Sequence, residues 1–376
     1  MSRVVDLLQS LIRIPSVNPD NATDPSVAGE GRIAEQIAGL LEAMGATAKL
    51  EEVLPGRPNV FGHFPSDRPG KPRILLAPHT DTVGIEGMSI APFSGDVFHG
   101  RIYGRGASDT KGTMAAMLAA LEALGADRIS RLGAEIVFVG LIGEETGQHG
   151  SRHLARHHHG QFAFAVVGEP TLCEIVHVHK GCSWLTLETR GKACHGSTPE
   201  KGVSALYEMV PVLESVRDDL ATRLKTFTHP ILGHSTVNVG TIRAGARPNI
   251  VPDHCTIELD VRETPTLHRY GVDRLIGEWL TDHGWDKKVS VRTSGSCAPL
   301  DTPAHDPFVR KLTALGAPLT GAPWFCDAAW LSEEGGIPAV AAGPGSIAQA
   351  HTADEFIAIA HLEEGVRFYR SFLESL

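Results

Sequence analysis

Basic charge is in short supply: 34 lysines and arginines stand against 44 aspartates and glutamates, for a formal net charge of -10. A protein that grips nucleic acid regardless of sequence needs a basic surface to release counterions, so that class is excluded and polyanionic partners with it. Cysteine is sparse as well. Six cysteines (Cys173, Cys182, Cys194, Cys255, Cys297, Cys326) form no C-x-x-C pair and no dense framework, which excludes a disulfide scaffold and fits reduced thiols in a cytoplasmic protein. No run approaches the roughly 18 apolar residues that cross a bilayer. Asp6 and Gln9 interrupt the apolar pattern at the N-terminus, so no secretory signal and no membrane partner are expected. Repeats, low-complexity tracts and long linkers are missing too.

What is present is a globular composition, 42% apolar and 21% charged, in 376 residues, a length that favours two or three domains. Val4, Leu7, Leu8, Leu11 and Ile12 fall at helical spacing before Pro15, and Ile33, Ile37, Leu40 and Leu41 repeat that spacing before Gly45. Arg73–Pro78, Ala134–Ile142, Phe162–Val167 and Pro338–Ala342 are short apolar runs without alternation, which suits strands buried on both faces. Met114–Leu124 reads as an alanine-rich helix. From Lys180 the pattern changes. Ser183–Thr189, Val237–Ile242 and Cys255–Val261 alternate like strands with one exposed face, and Val203–Leu220 and Leu275–Leu280 read as helices. The expected fold is α/β, a mixed sheet flanked by helices, built from residues 1–179 and 294–376. An α+β domain with an antiparallel sheet, residues 180–293, interrupts it.

Charged groups collect at the ends of the buried runs. His79, Glu144, Glu145, Glu169 and His351 each follow one, and Asp109 sits where the glycine turn Gly104-Arg-Gly-Ala-Ser-Asp-Thr-Lys-Gly112 hands over to a helix. Open α/β sheets bind ligands beyond the carboxyl ends of their strands. Histidines and carboxylates gathered there make two nitrogen- and oxygen-rich sites sharing one acid, a ligand set suited to two divalent ions: zinc, with cobalt or manganese as alternatives. A shared aspartate would hold the ions about 3.5–4 Å apart, as in two-metal hydrolases. His153 and His157–His159 lie in a polar stretch with no acid beside them in sequence and read as a solvated surface.

Eight motifs in order carry a resemblance over essentially the whole chain. They are His79-Thr-Asp81, the Gly104–Gly112 turn, Gly143-Glu-Glu-Thr-Gly147, Gly168-Glu-Pro170, Gly191-Lys-Ala-Cys-His-Gly-Ser-Thr-Pro199, Asn249-Ile-Val-Pro-Asp253, Asp260-Val-Arg262 and His351-Thr-Ala-Asp-Glu355. The sequence resembles the dinuclear zinc amidohydrolases and exopeptidases that include acetylornithine deacetylase, succinyl-diaminopimelate desuccinylase, aminoacylase and bacterial glutamate carboxypeptidase. The stretch from Gly343 to Phe356 is most similar to the acetylornithine deacetylase branch. The resemblance implies that His79 and Glu169 hold one ion, Glu145 and His351 the other, and that Asp109 bridges. It makes Asp81 the acceptor that fixes the His79 tautomer and Glu144 the general base.

It also implies that His195 reaches across a homodimer interface to stabilise an oxyanion, and that the inserted domain serves dimerisation and acts as a lid. Asn249 and Arg262 become substrate contacts, with Arg262 suited to a carboxylate. Cys326 and Asp327 replace the Gly-Thr-Asp or Thr-Glu of relatives at another substrate-contact position, with Cys326 read as pocket wall. The implied substrate is a small N-acyl amino acid, N-acetylornithine above all. N-succinyl-diaminopimelate and dipeptides are the alternatives.

Overall fold

The computed structural model describes residues 2–376. The chain clusters into two compact units. One comprises residues up to His177 with Thr302–Thr320 and Cys326–Leu376, the other Val178–Asp301 with Gly321–Phe325. The chain opens with α1 (Arg3–Ile12), α2 (Gly31–Ala43), β1 (Thr47–Leu54), β2 (Arg57–His63), β3 (Arg73–Pro78), α3 (Lys111–Leu124), β4 (Glu135–Gly140), α4 (His149–His157), β5 (Phe164–Gly168) and β6 (Ile175–His179). It continues with β7 (Gly181–Arg190), α5 (Ala205–Ser215), β8 (Thr236–Ala244), β9 (His254–Glu263), α6 (Val272–Asp282) and β10 (Val289–Cys297). Later come α7 (Ala328–Glu333), β11 (Ala339–Ala341) and α8 (Ile359–Glu374).

In the first unit the strands run β1-β2-β4-β3-β5-β11-β6. The central pairs β4/β3, β3/β5 and β5/β11 are parallel, and β1/β2, β2/β4 and β11/β6 are antiparallel, so the sheet is mixed as expected. Burial explains why β3 shows no alternation. Ile74 and Leu76 face a core built from α1, α2, α3 and α8. Leu75 and Ala77 are fully buried too and, by the two-residue period of a strand, face the opposite side. On that side α4 packs on α7, and α7 on β5 and β11. The chain leaves β3 through α3 to β4, then returns through α4 to β5 on the other side of β3. That reversal makes the carboxyl end of β3 a topological switch point, and His79 is the first residue beyond it.

In the second unit β8-β9-β7-β10 form an antiparallel sheet. Leu185, Leu187, Ile257, Leu259 and Val261 turn inward against Met209 and Val212 of α5 and Ile276 and Trp279 of α6. The alternate residues Trp184, Thr186, Glu258, Asp260 and Arg262 occupy the other face. The expected boundary at 293/294 falls inside β10, which pairs with β7 as far as Cys297↔Cys182. A register shift between Thr293 and Gly295 breaks the alternation there and hides the strand in the sequence. Among the described residues no helix is long and apolar enough to cross a membrane.

Candidate metal centre

Four loops at the carboxyl ends of the parallel strands bring the acids and histidines of the first unit together. His79 Nε2 lies 3.1 Å from Asp109 Oδ1, while His351 Nε2 lies 3.0 Å from Glu145 Oε2 and 3.5 Å from Asp109 Oδ2. Asp109 therefore offers one oxygen to each imidazole. The helix expected to be capped by Asp109 begins one residue later, with Thr110 at its N-cap, so the aspartate is released from capping and free to serve both histidines. The Asp109–Thr110 peptide is cis. Thr110 Oγ1 donates to the Gly168 carbonyl at 2.8 Å, tying this turn to the strand end that carries Glu169.

Asp81 is fully buried and holds the Glu144–Glu145 loop by its backbone. It accepts from the N–H of Glu144 at 3.0 Å, from the N–H of Glu145 at 3.1 Å and from Asn18 Nδ2 at 2.8 Å. The His79 Nδ1 contact expected for its carboxylate is made more closely by its main-chain carbonyl, 2.9 Å against 3.4 Å. Either acceptor favours a proton on Nδ1 and would leave Nε2, the nitrogen facing Asp109, available to a metal ion. His351 adopts a left-handed backbone, φ 62°, uncommon for a residue with a side chain and frequent at functional sites.

Electrostatics show what this cluster lacks. Burial, then the nearby Glu169, pushes the Glu144 carboxyl well above its ordinary range, and burial with Asp109 does the same to Glu169. Burial alone would depress His79, but its bonds to Asp109 and Asp81 win and raise it well above the ordinary imidazole range. Contacts with Asp109 and Glu145 raise His351 to about 10. Protons are retained where several negative charges meet out of water. Glu145 Oε1 and Glu169 Oε1 are buried with no hydrogen-bond partner, an arrangement costing about 1–3 kcal/mol each unless something fills it. Ligand atoms of His79, Asp109 and Glu145 all lie within 4.8 Å of one another. Divalent cations would supply the missing positive charge and the missing partners, so the residues fit the metals expected of them.

A further organiser of the centre is Glu355, one residue of the last motif, to which the sequence assigned no role. Its buried carboxylate accepts from Arg105 Nη1 at 2.8 Å and from the N–H groups of Gly106 at 3.1 Å, Ser108 at 2.8 Å and Asp109 at 3.0 Å. The glycine turn is wrapped around this acid. A glutamate four positions after His351 was the available signal, but its partners lie some 250 residues upstream.

The remaining expected residues are placed differently. Cys326 and Asp327 are buried in the first unit, where Asp327 accepts a hydrogen bond from Ser151 and burial lifts its carboxyl to about 7. His195, Asn249 and Arg262 belong to the second unit. His195 is exposed, its Nδ1 2.8 Å from Ser197 Oγ, and the Gly196 N–H donates to the Asn249 carbonyl at 2.8 Å. Arg262 donates through Nε and Nη2 to Asp260 Oδ2 at 3.1 and 2.9 Å, and its guanidinium lies 5.5 Å from the Phe325 ring centre. The histidines expected to lack an acid do have one. Glu51 of β1 meets His153 at 3.0 Å and His158 at 3.1 Å, a pairing across about 100 residues that local sequence could not show.

A mixed α/β sheet with a histidine and carboxylates buried at its switch point has the donor set of a metal-dependent enzyme. The family model of peptidase family M20/M25/M40 matches residues 75–375, and the chain belongs to this family and is a hydrolase. It is 30% identical over 370 residues to an acetylornithine deacetylase of Proteus mirabilis, covering 96% of this chain and 93% of that one. The fold matches the M20 family metallo-carboxypeptidase Sso-CP2 of Sulfolobus solfataricus with a TM-score of 0.82 at 20% identity, covering 100% and 99% of the two chains. It also matches the YXEP protein of Bacillus subtilis, described as a dinuclear metal-binding M20 peptidase, with a TM-score of 0.69 at 14% identity over 99% and 97%.

Proposed function

We propose that this chain is a two-metal hydrolase that removes the acyl group from a small N-acyl amino acid, with N-acetylornithine the foremost substrate. The observation that carries the reading is Asp109, whose two oxygens face His79 and His351 in a buried acidic cluster. The 30% identity to an acetylornithine deacetylase supports the choice of substrate. On this reading His79 and Glu169 would hold one ion, Glu145 and His351 the second, and Asp109 would serve both. Zinc suits the nitrogen and oxygen donors, and cobalt or manganese would too. Ions held there would supply Lewis acidity toward water and the scissile carbonyl. Glu144 takes the proton of the attacking water and returns it to the leaving amine, while Asp81 keeps the His79 tautomer and the Glu144–Glu145 loop in place. No covalent intermediate is required.

The second unit contributes recognition in this reading. His195 donates to the developing oxyanion in the partner subunit of a homodimer, and Asn249 and Arg262 hold the substrate, with Arg262 exchanging Asp260 for the substrate carboxylate. Apolar side chains left in the open support the dimer. Tyr207 and Val210, one turn apart on α5, are 77% and 42% exposed, and Ile242 of the edge strand β8 is 49% exposed. All six cysteines are free thiols, which supports a cytoplasmic location.

An enzyme that pairs a two-metal centre with a carboxylate-binding arginine would also accept N-succinyl-diaminopimelate or a dipeptide. Turnover of the zinc- or cobalt-loaded protein on N-acetylornithine, other N-acetyl amino acids, N-succinyl-diaminopimelate and dipeptides, ranked by kcat/KM, tests the assignment. A clear preference for N-acetylornithine is expected. Faster cleavage of dipeptides would move the protein to the exopeptidase reading.

A further inference from the structure

The loop that carries Glu144 continues into Gln148, a residue none of the motifs includes. Gln148 stands immediately before α4 with a left-handed backbone, φ 49°, and its N–H donates to the Gly143 carbonyl at 2.7 Å, closing the loop on itself. The side chain turns inward and is only 4% exposed. On one side it meets Trp330 of α7, whose indole Nε1 lies 2.7 Å from Gln148 Oε1. On the other, Gln148 Nε2 lies 3.4 Å from Glu144 Oε1.

The chemistry of the two neighbours settles the amide. An indole N–H can only donate, so the atom facing Trp330 is the carbonyl oxygen. The NH2 group then has to face Glu144, the polarity a carboxylate needs. Trp330 is fixed in turn. It is 7% exposed, and the Arg152 guanidinium lies 4.2 Å from its ring centre. An amide held this firmly from behind presents a donor in one place, because turning it over would set its NH2 against the indole N–H and its oxygen against the carboxylate.

We propose that Gln148 is the positioning residue for Glu144: with its amide oriented by Trp330, it binds one carboxylate oxygen and leaves the other to take the proton of the attacking water. This rests on the reading of Glu144 as general base. The long contact is the one expected to shorten when substrate and water are in place, as catalytic hydrogen bonds do.

The test is steady-state kinetics with metal analysis on the metal-loaded enzyme. Gln148→Leu removes the donor at similar volume, Trp330→Phe removes the orienting N–H, and Glu144→Gln serves as reference. Gln148→Leu should lower kcat about 10- to 100-fold, the worth of a hydrogen bond to a charged group, with KM and bound metal unchanged. Trp330→Phe should lower kcat about 2- to 10-fold in the same manner. Combining Gln148→Leu with Glu144→Gln should cost nothing beyond Glu144→Gln alone, since the two act as one unit.

Wild-type kcat in a folded Gln148→Leu would overturn the proposal, as would a multiplicative further loss in the double variant. If Gln148→Leu does not fold, Trp330→Phe decides: unchanged kcat overturns the proposal and a kcat-only loss upholds it. A fall in kcat matched by equal loss of metal also overturns it, because Gln148 would then be serving the ligand Glu145. Activity surviving in Glu144→Gln would instead remove the general-base reading beneath it, a result separable from failure at Gln148.

Discussion

The two units hold the groups assigned to the site in opposite ways. In the first, His79, Asp81, Asp109 and Glu169 are all at most 6% exposed and constrain one another. In the second, His195 and Arg262 each rest on one local partner, Ser197 and Asp260, near the surface. On the proposed function the difference follows from what each has to do. Ligands for an ion must converge rigidly, and burial that would be costly for isolated charges is stabilised once a cation joins them. Groups that grip a substrate have to exchange one partner for another, so weak local pairing suits them.

Substitutions can break this contrast, beginning with the largest effect. Asp109→Ala removes the oxygens facing both histidines and should abolish activity and strip bound metal, read by metal analysis after dialysis. Retained metal with activity would show that the cluster has another centre. Glu355→Gln takes the negative charge from the buried Arg105 and should lower stability by about 3–5 kcal/mol in chemical denaturation, with metal lost alongside. An unchanged midpoint would mean that the glycine turn holds its shape without that acid.

His195→Ala in the second unit should lower kcat by ~10²–10³ while leaving metal bound. Mixed with Asp109→Ala under conditions of subunit exchange, it should recover part of its activity, because each intact site draws its histidine from the partner. No recovery despite exchange would place the histidine in its own chain's site. The smallest effect is one of pH. Burial holds the His179 imidazole down to about 4, so between about pH 6.5 and 4 the unfolded chain binds a proton that the folded one refuses. Its stabilising effect is complete above pH 6.5 and is lost toward pH 4, by about 3 kcal/mol. His179→Leu should flatten that part of the stability profile measured by denaturant midpoints, and an unflattened profile would assign the loss to other groups.

The same contrast governs what could be read in advance. Buried runs and their terminal acids lie close together in sequence, so β3, β4, β5 and the six residues proposed for the centre were legible from pattern and motif. The β1–β2 hairpin was not, because β1 shows mostly exposed or half-exposed positions and offers no clean apolar alternation. Glu355, Gln148 and the Glu51 pairing depend on contacts across tens to hundreds of residues, which no local window holds. In the second unit β7, β8 and β9, though not β10, declared themselves by alternation. Phe325 beside Arg262 did not, since only the fold returns residues 321–325 to that unit.

The central claim is that Glu144 is the base in a centre whose metal is held by other residues. Turnover and bound metal measured together on Glu144→Ala test it most directly. The account predicts metal content equal to that of the wild type with kcat reduced ~10²–10⁴-fold. Near-normal turnover in that variant, with metal in place, would contradict it.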